Sequence, residues 1–381
     1  MKFKYKNGYI CVDNESIGRG ANYVTYRGTL YDDNFDGKKV ILKVFEPIGF
    51  ATEYVYNDNC ITAIKILPAQ TSNSASFLKK YISMERSIRN LARLQRMPAL
   101  RKHIVDIYGF DNCLFDINNN SITIDYAESD CKSIGSYKAF SIYFDDDFDN
   151  GIEYENYHHF KFDAIEDIID VVIKMAEIIR VLHRKNLIHR DIKPSNFLYN
   201  IDRVDNSKQF NIKMLDTDTI TKLASGKFSK ISSSEPFAPS EAYDGLYDKS
   251  TDVYMLVTTL ISLLFSSSEI YMLCETEKNF KIYNYNNIIT DDSCEFLKEK
   301  YNCSQGFINK LSDIISYSLS DSFYRCSSVD RLIRDLSILR EIHENKGIHP
   351  EVIRDNAEKI IKDFNLDIDE DLFADVSVSE E

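Results

Sequence analysis

"LIHRDIKPSNFLY", residues 187–199, carries more ordered chemistry than any other stretch of this 381-residue chain. His189, Arg190 and Asp191 follow an apolar lead-in, Lys193 stands two positions after the aspartate, Asn196 three further on, and an apolar run resumes at Phe197. Asp191 can take a proton from an attacking hydroxyl, Lys193 can steady a migrating phosphoryl group, and Asn196 offers a neutral oxygen to magnesium. The pattern is that of a phosphoryl-transfer loop. A second acidic feature lies downstream in "IKMLDTDTI", residues 212–220, where a mostly apolar strand delivers Asp216 and then Asp218. Alone, an aspartate after a strand is as ordinary in a turn as in a metal site.

With so many ordered positions matching, the sequence resembles the eukaryotic-type protein kinases. The resemblance implies an α+β, bilobal protein-kinase-like fold with a small β-rich N-lobe carrying one main helix and a larger, mostly helical C-lobe. It also implies ATP and Mg2+ as cofactors and places Asp216 as the magnesium-binding aspartate of the DFG motif, written here as DTD. Asn196 is then the second metal-binding side chain. Thr217 cannot supply the apolar packing of the family's phenylalanine, and Asp218 lacks the freedom of its glycine at positive φ. The expected outcome is a motif biased toward one state, with Asp218 near the second metal or capping a turn.

Upstream, "IGRGANYVTYRG", residues 17–28, is similar to the glycine-rich loop, with Gly18 and Gly20 where the backbone folds over nucleotide phosphates and Tyr23 in place of the third glycine. "VILK", residues 40–43, is similar to the strand that carries the lysine for the α- and β-phosphates, Lys43. Its carboxylate partner is read from helical spacing. Leu78, Tyr81, Glu85, Ile88 and Ala92 share one face, so Glu85 projects from an apolar stripe and calls for a cation. Lys43 and Glu85 stand 42 positions apart, which predicts an insertion at about 46–74. In "SITIDYAESD" the resemblance places Ile124 at the end of the hinge strand and the backbones of Asp125 and Ala127 on the adenine edge.

Toward the C-terminus, Glu241 in "APSE" resembles the glutamate that closes the activation segment, and Arg325 the arginine that pairs with it. Asp252 matches either the family's tie to the catalytic loop or a plain N-cap. Lys193 and Ser234 imply serine/threonine specificity. Arg190 beside Asp191, facing the acceptor-rich stretch 221–234, suggests control by autophosphorylation. Three functions stay open: an active protein kinase, a pseudokinase that binds nucleotide or partners without turnover, and a small-molecule kinase, which Glu241, Asp252 and Arg325 argue against.

Composition agrees with a globular protein, with 44% apolar residues. Eight cysteines without a CxxC pair, and no apolar leader at the N-terminus, predict reduced thiols and a cytoplasmic location. "VYMLVTTLISLLF", residues 253–265, is too short to span a membrane and predicts a buried helix. The net charge of −14 is concentrated at the end, where residues 342–381 hold 12 acidic and 4 basic side chains. No long basic stripe marks a nucleic-acid face, and Arg86–Lys102 reads as a solvated helix surface. The expected partner is a protein substrate, with a further one conceivable for the acidic tail.

The expected organisation is an N-lobe at 1–127, a C-lobe at 128–341 containing an insertion at about 136–162, and the tail at 342–381. Asp163 and Glu166 predict a helix start, followed by a stripe of Ile165, Ile168, Ile169, Val172, Ala176 and Ile179. No repeat of 20 to 50 residues is visible.

Overall fold

The structure, a computed structural model, describes residues 1–5, 7–19, 23–68, 79, 82, 90, 93–94, 96–104, 112–116, 121–125, 137–138, 141–143, 149–150, 162, 164–204, 207–215, 217, 219–223, 237–265 and 288–344. Two compact units are formed, 1–160 with 181–226, and 161–180 with 227–381. This grouping cuts the chain differently from the expected lobes, because the 187–199 stretch goes with the β-rich unit.

The first unit is built on an 11-stranded sheet. Its strands are β1 (Lys2–Tyr5), β2 (Gly8–Val12), β3 (Gly18–Arg19), β4 (Tyr23–Asp32), β5 (Phe35–Phe45), β6 (Phe50–Asn57), β7 (Cys60–Pro68), β8 (Asn112–Asp116), β9 (Ser121–Asp125), β10 (Tyr137–Lys138) and β11 (Ser141–Tyr143). They follow the order β10-β8-β9-β7-β1-β2-β4-β5-β11, with β3 on β4 and β6 on β7. Period-two alternation explains the core. Val24, Tyr26 and Leu30 of β4 and Val40, Leu42 and Val44 of β5 point to one face, where they meet Phe3, Tyr5, Ile10 and Val12 and the β7 residues Ile61, Ile64 and Ile66. Asp32 starts the β4–β5 turn by accepting from the backbone N–H groups of Asn34 (2.8 Å) and Phe35 (2.9 Å). The β6–β7 turn instead places Asp58 and Asn59 at φ 48° and 64°, the left-handed pair that a two-residue hairpin loop asks for and that Asn and Asp tolerate.

The structure exposes a pairing that linear reading misses. Ile17, Gly18, Tyr23 and Val24 recur at a constant offset as Ile48, Gly49, Tyr54 and Val55. Tyr23 and Val24 open the first strand of the antiparallel hairpin β4–β5, Tyr54 and Val55 lie within the first strand of β6–β7, and each hairpin breaks register once. Each hairpin carries a lysine on its second strand, Lys43 or Lys65, and a third antiparallel strand lies on that strand's other edge, β11 or β9. The turns differ in length, so the constant offset ends before the lysines and the likeness escapes a search for a fixed period.

The remaining strands of this unit are β12 (Asp149–Asn150), β13 (Leu187–Ile188), β14 (Phe197–Val204), β15 (Ser207–Met214) and β16 (Thr221–Lys222). The 136–162 insertion contributes β10, β11 and β12, which pair β8, β5 and β14 respectively. Apart from Phe162, its other residues lie outside the described ones. Lys79, Ile82, Asn90, Arg93 and Leu94 are helical, in line with the helix expected over 76–96, while Glu85 and its stripe lie outside the described residues. Arg93, Arg96, Arg101 and Lys102 are exposed, as the solvated face predicts.

The second unit is helical. Besides the single turn α1 (Pro98–Arg101) of the first unit, the helices are α2 (Ile165–Arg184), α3 (Ser240–Tyr243), α4 (Lys249–Leu264), α5 (Asp291–Tyr301), α6 (Gln305–Leu319) and α7 (Val329–Glu344). All six residues of the α2 stripe are buried; the expected cap, Asp163, lies outside the described residues. The apolar segment around 253–265 is the buried α4, and among the described residues no helix is long and apolar enough to cross a membrane. Asp248 caps α4, accepting from the Thr251 N–H at 3.1 Å, so Asp252 is not the N-cap. Asp252 sits in the first turn and is fully buried. The expected Glu241–Arg325 pair is present. Arg325 donates through Nη1 to the Glu241 carboxylate and through Nε to the Ser320 carbonyl (3.1 Å), with its guanidinium 4.8 Å above the Tyr254 ring. Such a pair is costly to break from one side, since the remaining charge is left buried. Thr258 of α4 donates to the Phe237 carbonyl at 3.0 Å, which anchors the chain just after the acceptor-rich stretch. Among the described residues Cys11, Cys60, Cys294, Cys303 and Cys326 are free thiols.

Candidate active site

The loop between β13 and β14 is fixed from both sides. Arg190 has a left-handed backbone, φ 73°, which costs a non-glycine residue about 1–2 kcal/mol and persists only where the surroundings impose it. They do so here. The Arg190 side chain is buried, and its Nε donates to the Thr219 carbonyl at 2.8 Å. His189 is fully buried, stacked on Phe197 with centroids 5.9 Å apart, and its Nδ1 accepts from the Asp191 N–H at 3.3 Å. This bond leaves the ring proton on Nε2. A 3-10 turn, Pro194–Asn196, then reverses the chain into β14.

Three expected residues are brought together there. Lys193 Nζ lies 3.2 Å from Asp191 Oδ2, with both side chains about a tenth exposed. Asn196 Nδ2 donates to Asp191 Oδ2 at 3.0 Å and to the Asp191 carbonyl at 2.7 Å. Asp191 Oδ1 is buried and has no hydrogen-bond partner among the described residues. One carboxylate oxygen is therefore held by a cation and an amide, while the other is left as an acceptor. A buried acceptor without a partner costs about 1–3 kcal/mol, a cost relieved when a substrate hydroxyl arrives. With its N–H groups turned to Asp191, the Asn196 amide presents its oxygen elsewhere, the donor type that magnesium takes. Asp216 and Asp218 lie outside the described residues. Their neighbours are placed: Leu215 N–H donates to the Asn196 carbonyl at 2.9 Å, and Thr217 is buried, its carbonyl accepting from Ile220 N–H at 3.2 Å. The residue preceding Asp216 is thus tied to the residue expected to share its metal. No cluster of three or more metal-ligating side chains occurs among the described residues.

The nucleotide-binding expectations divide. Gly18 is in the extended β3, opposite Thr25, and an added Cβ would meet nothing within 4 Å. No tight fold at that position requires a glycine; Gly20 lies outside the described residues. Gly49 is different, at φ +86° in the turn between β5 and β6, where Phe50 N–H closes on the Pro47 carbonyl at 3.3 Å. Lys43 stands on the face of β5 away from the core, its ammonium 5.1 Å from the centroid of the Tyr23 ring, opposite Thr25 and Ser141. The expected hinge strand β9 lies between β8 and β7, with Ala63 opposite Asp125 and Lys65 opposite Thr123. Adjacent strands are about 5 Å apart, so with β1, β2 and β4 intervening β5 is about 20 Å from β7 along the hydrogen-bonded path.

Lys65 is a second lysine on a strand of this sheet. "AIKIL", residues 63–67, matches the V-A-I-K form of the nucleotide lysine better than "VILK" does. Ala63 and Lys65 share the face of β7 opposite the buried Ile64 and Ile66. It stands twenty positions before Glu85, so the long insertion inferred at 46–74 becomes the β6–β7 hairpin itself. Asp125 is in β9 as expected, paired with both Ala63 and Asn112; Ala127 lies outside the described residues.

Comparison with known proteins identifies the family. The family described as "Protein kinase domain" matches residues 51–334, beginning after Lys43 and before Lys65. A Clostridium perfringens protein named as a serine/threonine-protein kinase is 32% identical over 100 residues, 26% of this chain and 14% of the relative. An Acanthamoeba polyphaga mimivirus protein, also named as a serine/threonine-protein kinase, is 32% identical over 127 residues, 30% of this chain and 43% of the relative. The chain thus spans less than half the length of either relative.

Proposed function

This chain belongs to the protein kinase domain family, and on that premise we propose that it is an ATP- and magnesium-dependent kinase that phosphorylates serine or threonine hydroxyls of protein substrates. The observation that carries the proposal is the polarised Asp191 carboxylate, with Oδ2 held by Lys193 and Asn196 and Oδ1 buried and open to a hydroxyl proton. In this reading Asp191 takes the proton, Lys193 holds Asp191 in place and steadies the transferred group, and Asn196 with Asp216 binds magnesium. The metal would neutralise charge on the β- and γ-phosphates. Asp125 and Ala127 hold the adenine edge by their backbones. For the phosphates we assign Lys65, paired with Glu85, and the Gly49 turn, in place of Lys43, Gly18 and Gly20. Serine/threonine specificity draws support from Lys193 and from the names of the two relatives. The same reading includes autophosphorylation within 221–234, a cytoplasmic setting, and an acidic tail available to a basic partner.

The test is phosphorylation with ATP and magnesium, with sites mapped by mass spectrometry, comparing the wild type with Asp191→Ala and Asp216→Ala. We expect incorporation to fall about a thousandfold or more in both, as removal of a group acting in the transition state does. Equal incorporation in all three proteins would refute the assignment. The pseudokinase reading rests on Thr217 and Asp218 standing where the family has phenylalanine and glycine, with Thr217 buried at 2% exposure. Nucleotide binding without any transfer would establish it.

A further inference from the structure

Glu46 is a carboxylate in an expensive place. It directly follows β5 and the fully buried Phe45, is itself only 8% exposed, and directly precedes the Pro47–Phe50 turn. Three elements converge on it. The Tyr54 hydroxyl of β6 donates to its Oε1. Arg19 Nη1 of β3 lies 3.8 Å from its Oε2. Tyr26 of β4 is close enough that the Glu46 charge adds to the effect of burial in pushing the phenol pKa upward.

Burial pushes the Glu46 carboxyl itself above its ordinary range, and Arg19 pulls it only partly back. A carboxylate whose folded pKa is raised stabilises the fold fully below its unfolded pKa and loses that contribution as pH rises through the folded value. At neutral pH the charge therefore works against stability, and apolar packing or a neutral amide would serve the fold better. Groups that cost stability and persist are characteristic of functional positions. What this one touches is specific: Arg19 follows Gly18 in the first hairpin unit, Tyr54 belongs to the second, and the Gly49 turn lies between. Tyr23, the counterpart of Tyr54 in the first unit, lies near an ammonium; Tyr54 is turned to a carboxylate instead.

We propose that Glu46 is a positioning residue for nucleotide binding, a joint gripped by Tyr54 and Arg19 that sets the Pro47–Phe50 turn over the phosphates. The proposal rests on the assignment of Lys65 and the Gly49 turn to the nucleotide site. The carboxylate makes no contact with the reacting atoms in this scheme. It acts through the turn that follows it, whose φ of +86° at Gly49 leaves the backbone soft unless its ends are held.

The experiment measures the dissociation constant of Mg·ATP by calorimetry, KM for ATP, kcat and the thermal midpoint for the full chain and for Glu46→Gln, Tyr54→Phe, the double variant and Lys65→Met. Loss of one charge-assisted contact predicts a rise of about three- to tenfold in both the dissociation constant and KM for each single variant, with kcat within about twofold. The double variant should be no weaker than the weaker single, because both act on one joint. Glu46→Gln should keep or raise the thermal midpoint, which separates positioning from a general loss of structure. Wild-type ATP affinity in both single variants overturns the joint, as does weakened affinity that tracks a fall in thermal midpoint. With Lys65→Met abolishing transfer, that result would leave the nucleotide site standing; full transfer by Lys65→Met refutes the site itself.

Discussion

The two lysine hairpins of the first unit start from nearly the same letters and end in different surroundings. The β4–β5 hairpin buries Val24, Tyr26, Leu30, Val40, Leu42 and Val44 in the core and turns Lys43 toward Tyr23 and β11. The β6–β7 hairpin contributes Ile61, Ile64 and Ile66 to the same core, but its lysine strand runs beside β9. Local sequence sets the strand, the turn and the presence of a lysine. Which strand lies beside each lysine is decided by pairing across the whole sheet.

The comparison is broken most forcefully by removing one hairpin. Deleting residues 1–45 would take eleven side chains out of the shared core, from Phe3 to Phe45. At about 1.5–3 kcal/mol for each buried apolar side chain this exceeds the 5–15 kcal/mol that holds a typical domain together. We expect no cooperatively folded first unit and no transfer activity, measured by circular dichroism and limited proteolysis. A truncated chain that folds and works would reduce the first hairpin to an appendage.

Exchanging the lysines one at a time asks where function lies. Lys65→Met should lower phosphoryl transfer by about a hundredfold or more, the scale of losing a charge-stabilising donor, while Lys43→Met should stay within a few-fold. The opposite ranking in a steady-state assay would return the nucleotide site to the first hairpin. The glycines offer a smaller contrast. Gly49→Ala forces a side chain into φ +86° and should cost about 1–2 kcal/mol in denaturant unfolding, whereas Gly18→Ala, with open space around it, should cost almost nothing. Equal costs would show that the left-handed turn is not the distinguishing feature. The smallest effect is in pH. Because burial raises the Glu46 carboxyl, the thermal midpoint of the wild type should decline relative to Glu46→Gln as pH rises from the acid range toward neutrality. A constant difference would mean that Glu46 does not titrate differently on folding.

Much of the catalytic loop was legible because its chemistry is local. Asp191, Lys193 and Asn196 lie within six consecutive positions, and one short turn suffices to bring them together. The α2 stripe and the buried α4 were legible for a similar reason, since helical period and apolar content are properties of adjacent residues. The Glu241–Arg325 pair spans a long stretch of chain and was reached only through family resemblance. The role of Asp252 as a cap was misplaced by one turn, since Asp248 and Thr251 form the capping box, and two aspartates four apart read alike before the helix start is known.

What the sequence determined by itself was the local pattern of the 187–199 loop, the strand and helix periods, and the family to which the chain belongs. Tertiary structure alone decided what surrounds each lysine. Lys43 and Lys65 each lie on the second strand of an antiparallel hairpin, on the face away from the core. They differ in which strand completes the ladder beside them, and that is set by burial of Phe3, Ile10, Leu42 and Ile64 in one core. Hydrophobic burial is non-directional and sums over residues far apart in the chain, so no short motif can report its outcome.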